Sequence, residues 1–151
     1  MDNNIKMLIV SVVYLVLDIT WIFLNIREQN ENILRIQVKH TEITYKLVIY
    51  IIICYILILL SLLHIAIPLT LNNIGYSDDL QTKAYKSIIY GGSVGFCIYG
   101  IYNLISLITY ERFEITLALT DTVWGWFIYS FITFLYLTLE IEAYVQDIHT
   151  A

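Results

Sequence analysis

The chain has 151 residues, of which 59% are hydrophobic and 14% charged, and a net charge of −5. A soluble domain of this size has too little interior to hide so much apolar surface, and an acidic chain lacks the basic face that nucleic-acid binding requires. What remains is a single membrane domain over residues 1–151, with the lipid bilayer as its main partner and no nucleic acid.

Four windows meet the criterion of about 20 predominantly apolar residues, roughly 5–25, 47–69, 87–110 and 113–139. They predict an all-α polytopic membrane protein, an antiparallel bundle of four transmembrane helices with both termini on one side. That side is termed A here; the loops after the first and third spans lie on side B. The first span has a signal-like start at Lys6 but is followed by LNIREQN, with no small-residue cleavage site, so it reads as a retained span. The loop from Ile26 to Lys46 is polar, interleaved with Ile33, Leu34, Ile36 and Val38. It fits a short interfacial helix or strand, and its periodicity does not choose between them.

On the second span Tyr50, Cys54, Ser61, His64 and Pro68 share one helical face, which points His64 into the bundle. That histidine lies near the level of the later glycines, far from side B. Pro68 ends or kinks the helix. Cys54 and Cys97 sit within hydrophobic stretches without paired-ligand spacing and read as small buried side chains. After the turn-forming NNIGYS, Asp78 and Gln81 form a capping-box pattern, so the third helix starts before the membrane.

The third span is the one around which the others are expected to pack. It carries no charge from Ile88 to Tyr110, and Gly92, Gly95, Tyr99, Tyr102, Asn103, Ser106 and Tyr110 fall on one face. Glycines admit close backbone approach, and hydroxyl and amide groups need partners away from lipid. Gly91 and Gly95 form a GxxxG pair with Gly92 beside it, a packing surface that suits either an internal contact or a homo-oligomer. The short link at Glu111 and Arg112 makes spans three and four an antiparallel hairpin, and the acidic tail EIEAYVQDIHTA is expected to be solvated. Side B carries Arg27, Arg35, Lys39, Lys46 and Arg112, and side A carries Lys6, Lys83 and Lys86. The positive-inside rule therefore places side B in the cytoplasm and the termini outside.

Two carboxylates need explaining, because an acid in mid-span costs roughly 2.5–3.5 kcal/mol on insertion scales. Asp18 lies about seven residues from the side-B end of its span, Asn103 about seven and Asp121 about eight, which at 1.5 Å per residue puts all three roughly 10–12 Å deep. Each acid heads a D-x-x-W pattern, Asp18 with Trp21 and Asp121 with Trp124, and the spacing sets each indole beside its own carboxylate. Tyr14 extends the first of these faces.

These acids and aromatics fit two classes of protein. In one, a polar layer binds a proton, cation or small polar solute, with Asp18 and Asp121 holding charge, Asn103, Ser106, Tyr99 and Tyr102 supplying hydrogen bonds, and Trp21 and Trp124 forming walls. In the other, the aspartates only lock helix packing in a structural or accessory membrane protein. No nucleophile elbow, P-loop, zincin helix or dinucleotide turn is present, so no catalytic residue, cofactor or metal is assigned and the reading leans away from an enzyme.

The run YGGSVGFCIYGIYNLISLITYERFEITLALTDTVWG resembles the signature of the small integral membrane proteins catalogued as domain of unknown function 2177. That signature has a G-x-x-G-x-x-x-Y-x-x-Y-D-x-T-N stretch followed by D-x-x-W-G. Gly92, Gly95, Tyr99, Tyr102, Asp121, Trp124 and Gly125 match it, Asp18 and Trp21 match a D-x-x-W in its first span, and Pro68 and Leu69 loosely match a Pro-Ala-Leu in its second. Asn103 and Ser106 stand where that family has an aspartate and an asparagine, and Phe113-Glu114 replaces its Trp-Pro. The resemblance implies a four-span integral membrane protein and no particular activity.

Overall fold

The computed structural model describes residues 2–37, 43–75 and 78–150, with side chains described up to Glu140. Five helices make up the described chain: α1 (Asn3–Leu24), α2 (Ile26–Gln37), α3 (Tyr45–Leu71), α4 (Leu80–Thr109) and α5 (Ile115–Thr150). Four of them, α1, α3, α4 and α5, are long and apolar enough to cross a membrane. Lys39, the NNIGYS residues Tyr76 and Ser77, and the side chains of the acidic tail lie outside the described residues; the backbone of α5 continues helical through most of that tail.

The helix ends follow local chemistry. Asp2 caps α1 by accepting from the Asn4 N–H, and Thr44 caps α3 by accepting from the Leu47 N–H at 3.3 Å. Asn25 separates α1 from α2, its side-chain amide donating back to Trp21 O at 2.9 Å. The loop left open between helix and strand is thus a helix over most of its length, tied internally by an Arg27–Glu31 pair at i,i+4. At the start of α4 the capping residue is Asp79, which accepts from the Thr82 N–H at 2.8 Å, not Asp78. Asp78 instead accepts from the Gly75 N–H at 2.9 Å and pairs with Lys86 at 2.6 Å. A cation about two helical turns up the chain outcompetes the capping role.

Two wide turns interrupt the spans, π-helical segments at Leu62–Ala66 in α3 and Ser87–Gly91 in α4. The first lies just before Pro68, which cannot donate to the His64 carbonyl and whose ring presses on that turn; a widened turn relieves the clash, and the helix continues to Leu71. A π turn advances each residue by less than 100°, so faces projected on a regular helix lose phase there. This is why His64, expected inside, lies on the outer surface, while Leu62, Ala66, Ile67 and Thr70 turn inward. Cys54 and Cys97 are exposed, contrary to the expectation that both are buried.

The core is Val10 and Tyr14 of α1, Leu62, Ala66 and Ile67 of α3, and Ile128, Tyr129, Ile132 and Tyr136 of α5. The helix with neighbours on most sides is therefore α5, not the third span. The glycine-bearing face of α4 lies flat on α5 and contributes backbone proximity to this core in place of side chains. A Cβ added to Gly91 would fall 2.8 Å from Thr133 Cβ, one at Gly92 2.8 Å from the Trp126 ring, and one at Gly95 2.7 Å from Tyr129 Cβ. Gly125 answers from α5, where an added Cβ would meet Tyr99 Cβ at 2.6 Å. The small surface of α4 is thus occupied by α5 of the same chain. Tyr102 and Tyr110, assigned to the inward stripe, remain 63% and 47% exposed.

Polar contacts mark the two ends of the bundle. On side A, Lys6 pairs with Glu140 at 2.5 Å and the Tyr136 hydroxyl donates to Asn3 Oδ1, tying the start of α1 to the far part of α5. On side B, α2 crosses the α4–α5 turn: Arg35 pairs with Glu114 at 2.5 Å, and buried Asn32 accepts from the Glu114 N–H at 3.0 Å. That backbone N–H sits at the entrance to α5, where helices leave donors without partners.

Candidate functional site

Asp18 points from α1 into the centre of the bundle and is 6% exposed. Its carboxyl collects one donor from each of the other three spans. Tyr55 of α3 donates to Oδ2 at 3.2 Å, while Tyr99 of α4 and Trp124 of α5 donate to Oδ1, each at 3.0 Å. Three donors, one from each of the other spans, satisfy the acceptor oxygens of this carboxyl. The Tyr14 and Tyr99 hydroxyls lie 2.6 Å apart. Since the single Tyr99 proton is committed to Asp18, Tyr14 is the donor there, and a chain of hydroxyls runs Tyr14 to Tyr99 to Asp18. Tyr129 packs its ring edge-on against both tyrosines, with centroids 5.9 and 6.4 Å away, and its hydroxyl bonds Ser61 of α3.

The indole bonded to Asp18 comes from the other D-x-x-W pattern, and the reason is the antiparallel course of α1 and α5. Moving three residues along α1 approaches side B, and moving three residues along α5 leaves it. Asp18 is therefore level with Trp124, and Trp21 with Asp121. The two indoles stack between these levels, with centroids 4.6 Å apart and planes 5° from parallel, and Trp21 approaches Asp121. Trp124 thus serves the acid on the opposite helix, and Trp21 lies at the level of Asp121, which corrects the expectation that each would sit beside its own.

Asp121 occupies the next level towards side B and is only half-buried. Asn103 donates to its Oδ2 at 3.0 Å, and the same amide nitrogen donates to Tyr99 O at 2.9 Å and reaches Thr122 Oγ1 at 3.3 Å. Asn103 thereby links the Asp121 level to the Tyr99–Asp18 level. Both carboxyls border one cavity of about 560 Å³, together with Asn103, Tyr99, Tyr102 and Trp21.

Ser106 stands apart from this layer: its hydroxyl donates to Tyr102 O at 2.9 Å, one turn back on its own helix, and it does not border the cavity. Tyr102 lines the cavity, and its largely exposed side chain takes no part in the hydrogen-bond network. Tyr55 was not singled out from the sequence, although a signal existed. It lies about eight residues from the side-B end of its span, the same roughly 12 Å depth as the two acids. Among the described residues no three His, Cys, Asp or Glu side chains come together as a metal-holding group.

A family model described as "Predicted membrane protein (DUF2177)" matches residues 4–138. No curated protein and no solved structure matches the chain. The match takes in all four spans, both D-x-x-W patterns and the amide between them, and the chain belongs to this family of membrane proteins.

Proposed function

We propose that this membrane protein binds a cation or small polar solute in the side-B cavity, as a small transporter or channel would, and that its two aspartates divide the labour. Asp18 holds the four spans in register. Asp121 is the charge that a solute meets, with Asn103 and Tyr102 beside it. The observation that carries this reading is the asymmetry between the acids. Asp18 is buried and ringed by three donors, whereas Asp121 is half-buried at the cavity wall with Asn103 as its hydrogen-bonding partner. An acid held in the membrane with unused acceptor capacity on a cavity is where a solute gains most.

The test is Asp121→Asn in the full chain, reconstituted in vesicles. The amide oxygen can still accept from Asn103, so the helical content and elution volume stay unchanged, while solute binding or flux is lost. Unchanged binding and flux in this variant would contradict the reading.

A second reading, in which the protein is structural and both acids only lock packing, is favoured by the saturation of Asp18. It predicts that Asp121→Asn is silent in every assay.

We further propose that side B faces the cytoplasm, supported by the five Lys and Arg residues on that side against three on side A. Single cysteines at Asn4 and Glu111, in a Cys54→Ala/Cys97→Ala background, separate the two orientations. Labelling of the Asn4 site by an impermeant maleimide on intact cells is expected, and labelling of the Glu111 site instead would reverse the orientation.

A further inference from the structure

The cavity has a particular shape and composition. Its wall on α3 is one helical face, Leu47, Tyr50, Ile51, Cys54 and Ile58, yet no residue of α3 between Tyr45 and Ser61 is buried. The side-B end of that half stands off from the bundle, and the helix rejoins the other spans at Tyr55, Ile58, Leu59 and Ser61 and along the inward face of its π turn. The flanks of the cavity beside α3 therefore open towards lipid. Its side-B end is roofed by Gln29 and Asn32 of α2, held down through the Arg35–Glu114 pair, and the core around Tyr14 and Leu62 lies on its side-A side.

The walls are mainly hydrocarbon and aromatic ring, with Trp21, Tyr50, Tyr55, Tyr99 and Tyr102 around one incompletely partnered carboxyl, Asp121. A hydrated inorganic ion would give up its water shell against these rings, and no three His, Cys, Asp or Glu side chains come together among the described residues to replace it. A cation that carries its own apolar body suits them: the charge meets Asp121 and the aromatic faces, and the body replaces lipid against the isoleucines. The volume of about 560 Å³ lies within the range of sites for organic molecules of drug size.

We infer that the ligand of this cavity is an amphipathic organic cation, an ammonium on an apolar body, which enters from the bilayer beside α3 and seats its charge at Asp121. This rests on the solute-binding role of Asp121 proposed above.

The experiment is equilibrium binding to the full chain in maltoside micelles, using labelled dodecyltrimethylammonium, tetramethylammonium and dodecanol. Saturable binding of dodecyltrimethylammonium is expected, at least tenfold tighter than that of tetramethylammonium and weakened tenfold or more by Asp121→Asn. Should tetramethylammonium bind as tightly with the same dependence on Asp121, the amphipathic ligand is overturned while the cation site stands. Should dodecanol match dodecyltrimethylammonium and Asp121→Asn change nothing, both readings fall.

Tyr50→Ala lies on the exposed α3 wall and does not depend on the fold of the Asp121 variant. It is expected to weaken dodecyltrimethylammonium severalfold and leave tetramethylammonium unaffected; equal effects on the two overturn the inference. Lysophosphatidylcholine carries the same ammonium on a lipid. Its Asp121-dependent binding would place the source in the bilayer, and Asp121-dependent binding of dodecyltrimethylammonium alone among free solutes; either result supports the class.

Discussion

Trp124 reaches across from α5 to donate its indole N–H to Asp18 on α1, 3.0 Å away, instead of turning back to Asp121 one turn earlier on its own helix. That bond, with those from Tyr55 and Tyr99, makes one carboxyl the meeting point of all four spans. Each span is apolar enough to sit stably in lipid alone, so specificity of assembly must come from such polar contacts and from close packing.

Removing the acceptor is therefore expected to be costly. Asp18→Leu leaves the Tyr55, Tyr99 and Trp124 donors without their partner in a site water reaches poorly. An unsatisfied buried donor costs about 1–3 kcal/mol, tempered in membranes by alternative partners, so a net loss of about 2 kcal/mol is expected. Unfolding by a denaturing detergent, followed by helical content, measures it. A variant as stable as the parent would remove Asp18 from its structural role.

The hydroxyl relay makes a finer prediction. Tyr14→Phe deletes the outermost donor and leaves Tyr99 free to keep its bond to Asp18, whereas Tyr99→Phe removes that bond and strands the Tyr14 hydroxyl. Tyr99→Phe should destabilise by about 1 kcal/mol more than Tyr14→Phe, and the pair should be non-additive, as groups in one network are. Equal and additive losses would show that the hydroxyls act separately.

Two glycines of α4 are expected to respond in opposite directions. A Cβ at Gly95 would press on the Gly125 carbonyl and come 2.7 Å from Tyr129 Cβ, and backbone cannot give way as a flexible side chain can. At Gly100 the added carbon meets only Thr122 Cγ2, at 3.4 Å. Alanine gains up to about 1 kcal/mol over glycine in a helix interior, and overpacking costs about 1–3 kcal/mol. Gly95→Ala should therefore lose stability by about 1–2 kcal/mol, while Gly100→Ala is neutral or gains. The same unfolding assay distinguishes them.

Much of this was legible in the sequence, and what was not has identifiable causes. Apolar runs and their lengths locate the spans, because lipid imposes a minimum length on every crossing. The depth estimate brought out Asp18, Asn103 and Asp121, and applied evenly it would have found Tyr55 as well. The crosswise pairing of acids and indoles follows from antiparallel neighbours, but it requires knowing that α1 lies on α5, and an i,i+3 spacing carries no such information. The inward assignment of His64 failed because a single π turn beside Pro68 shifts the phase of everything around it. Ser106 shares the polar face of α4, yet its need for a partner is met one turn back on the same helix. Asp78 and Asp79 are adjacent and both suit a cap, and the choice was made by Lys86.

Those two side-A carboxylates give a pH prediction. The Lys86 ammonium, and then the Gly75 N–H, hold Asp78 below the usual carboxylate range; the Thr82 hydrogen bonds do the same for Asp79. A carboxylate lowered in the folded state contributes stability above its unfolded value, near pH 4, and loses it as pH falls through the lower folded value. The first turn of α4 should thus be intact at pH 5 and fray below about pH 4. Hydrogen exchange at the Thr82 amide reports this directly, and Asp79→Ala should show the frayed rate at every pH.

The most direct measurement of the crossed arrangement is a pair of double-mutant cycles on unfolding in detergent, Asp18→Asn with Trp124→Phe and Asp121→Asn with Trp124→Phe. The structure predicts a coupling of about 0.6–2 kcal/mol for Asp18 with Trp124, and for Asp121 with Trp124 one that does not exceed about 0.3 kcal/mol. Coupling of Trp124 to Asp121 with none to Asp18 would contradict the account, because the four spans would then no longer meet on one carboxyl.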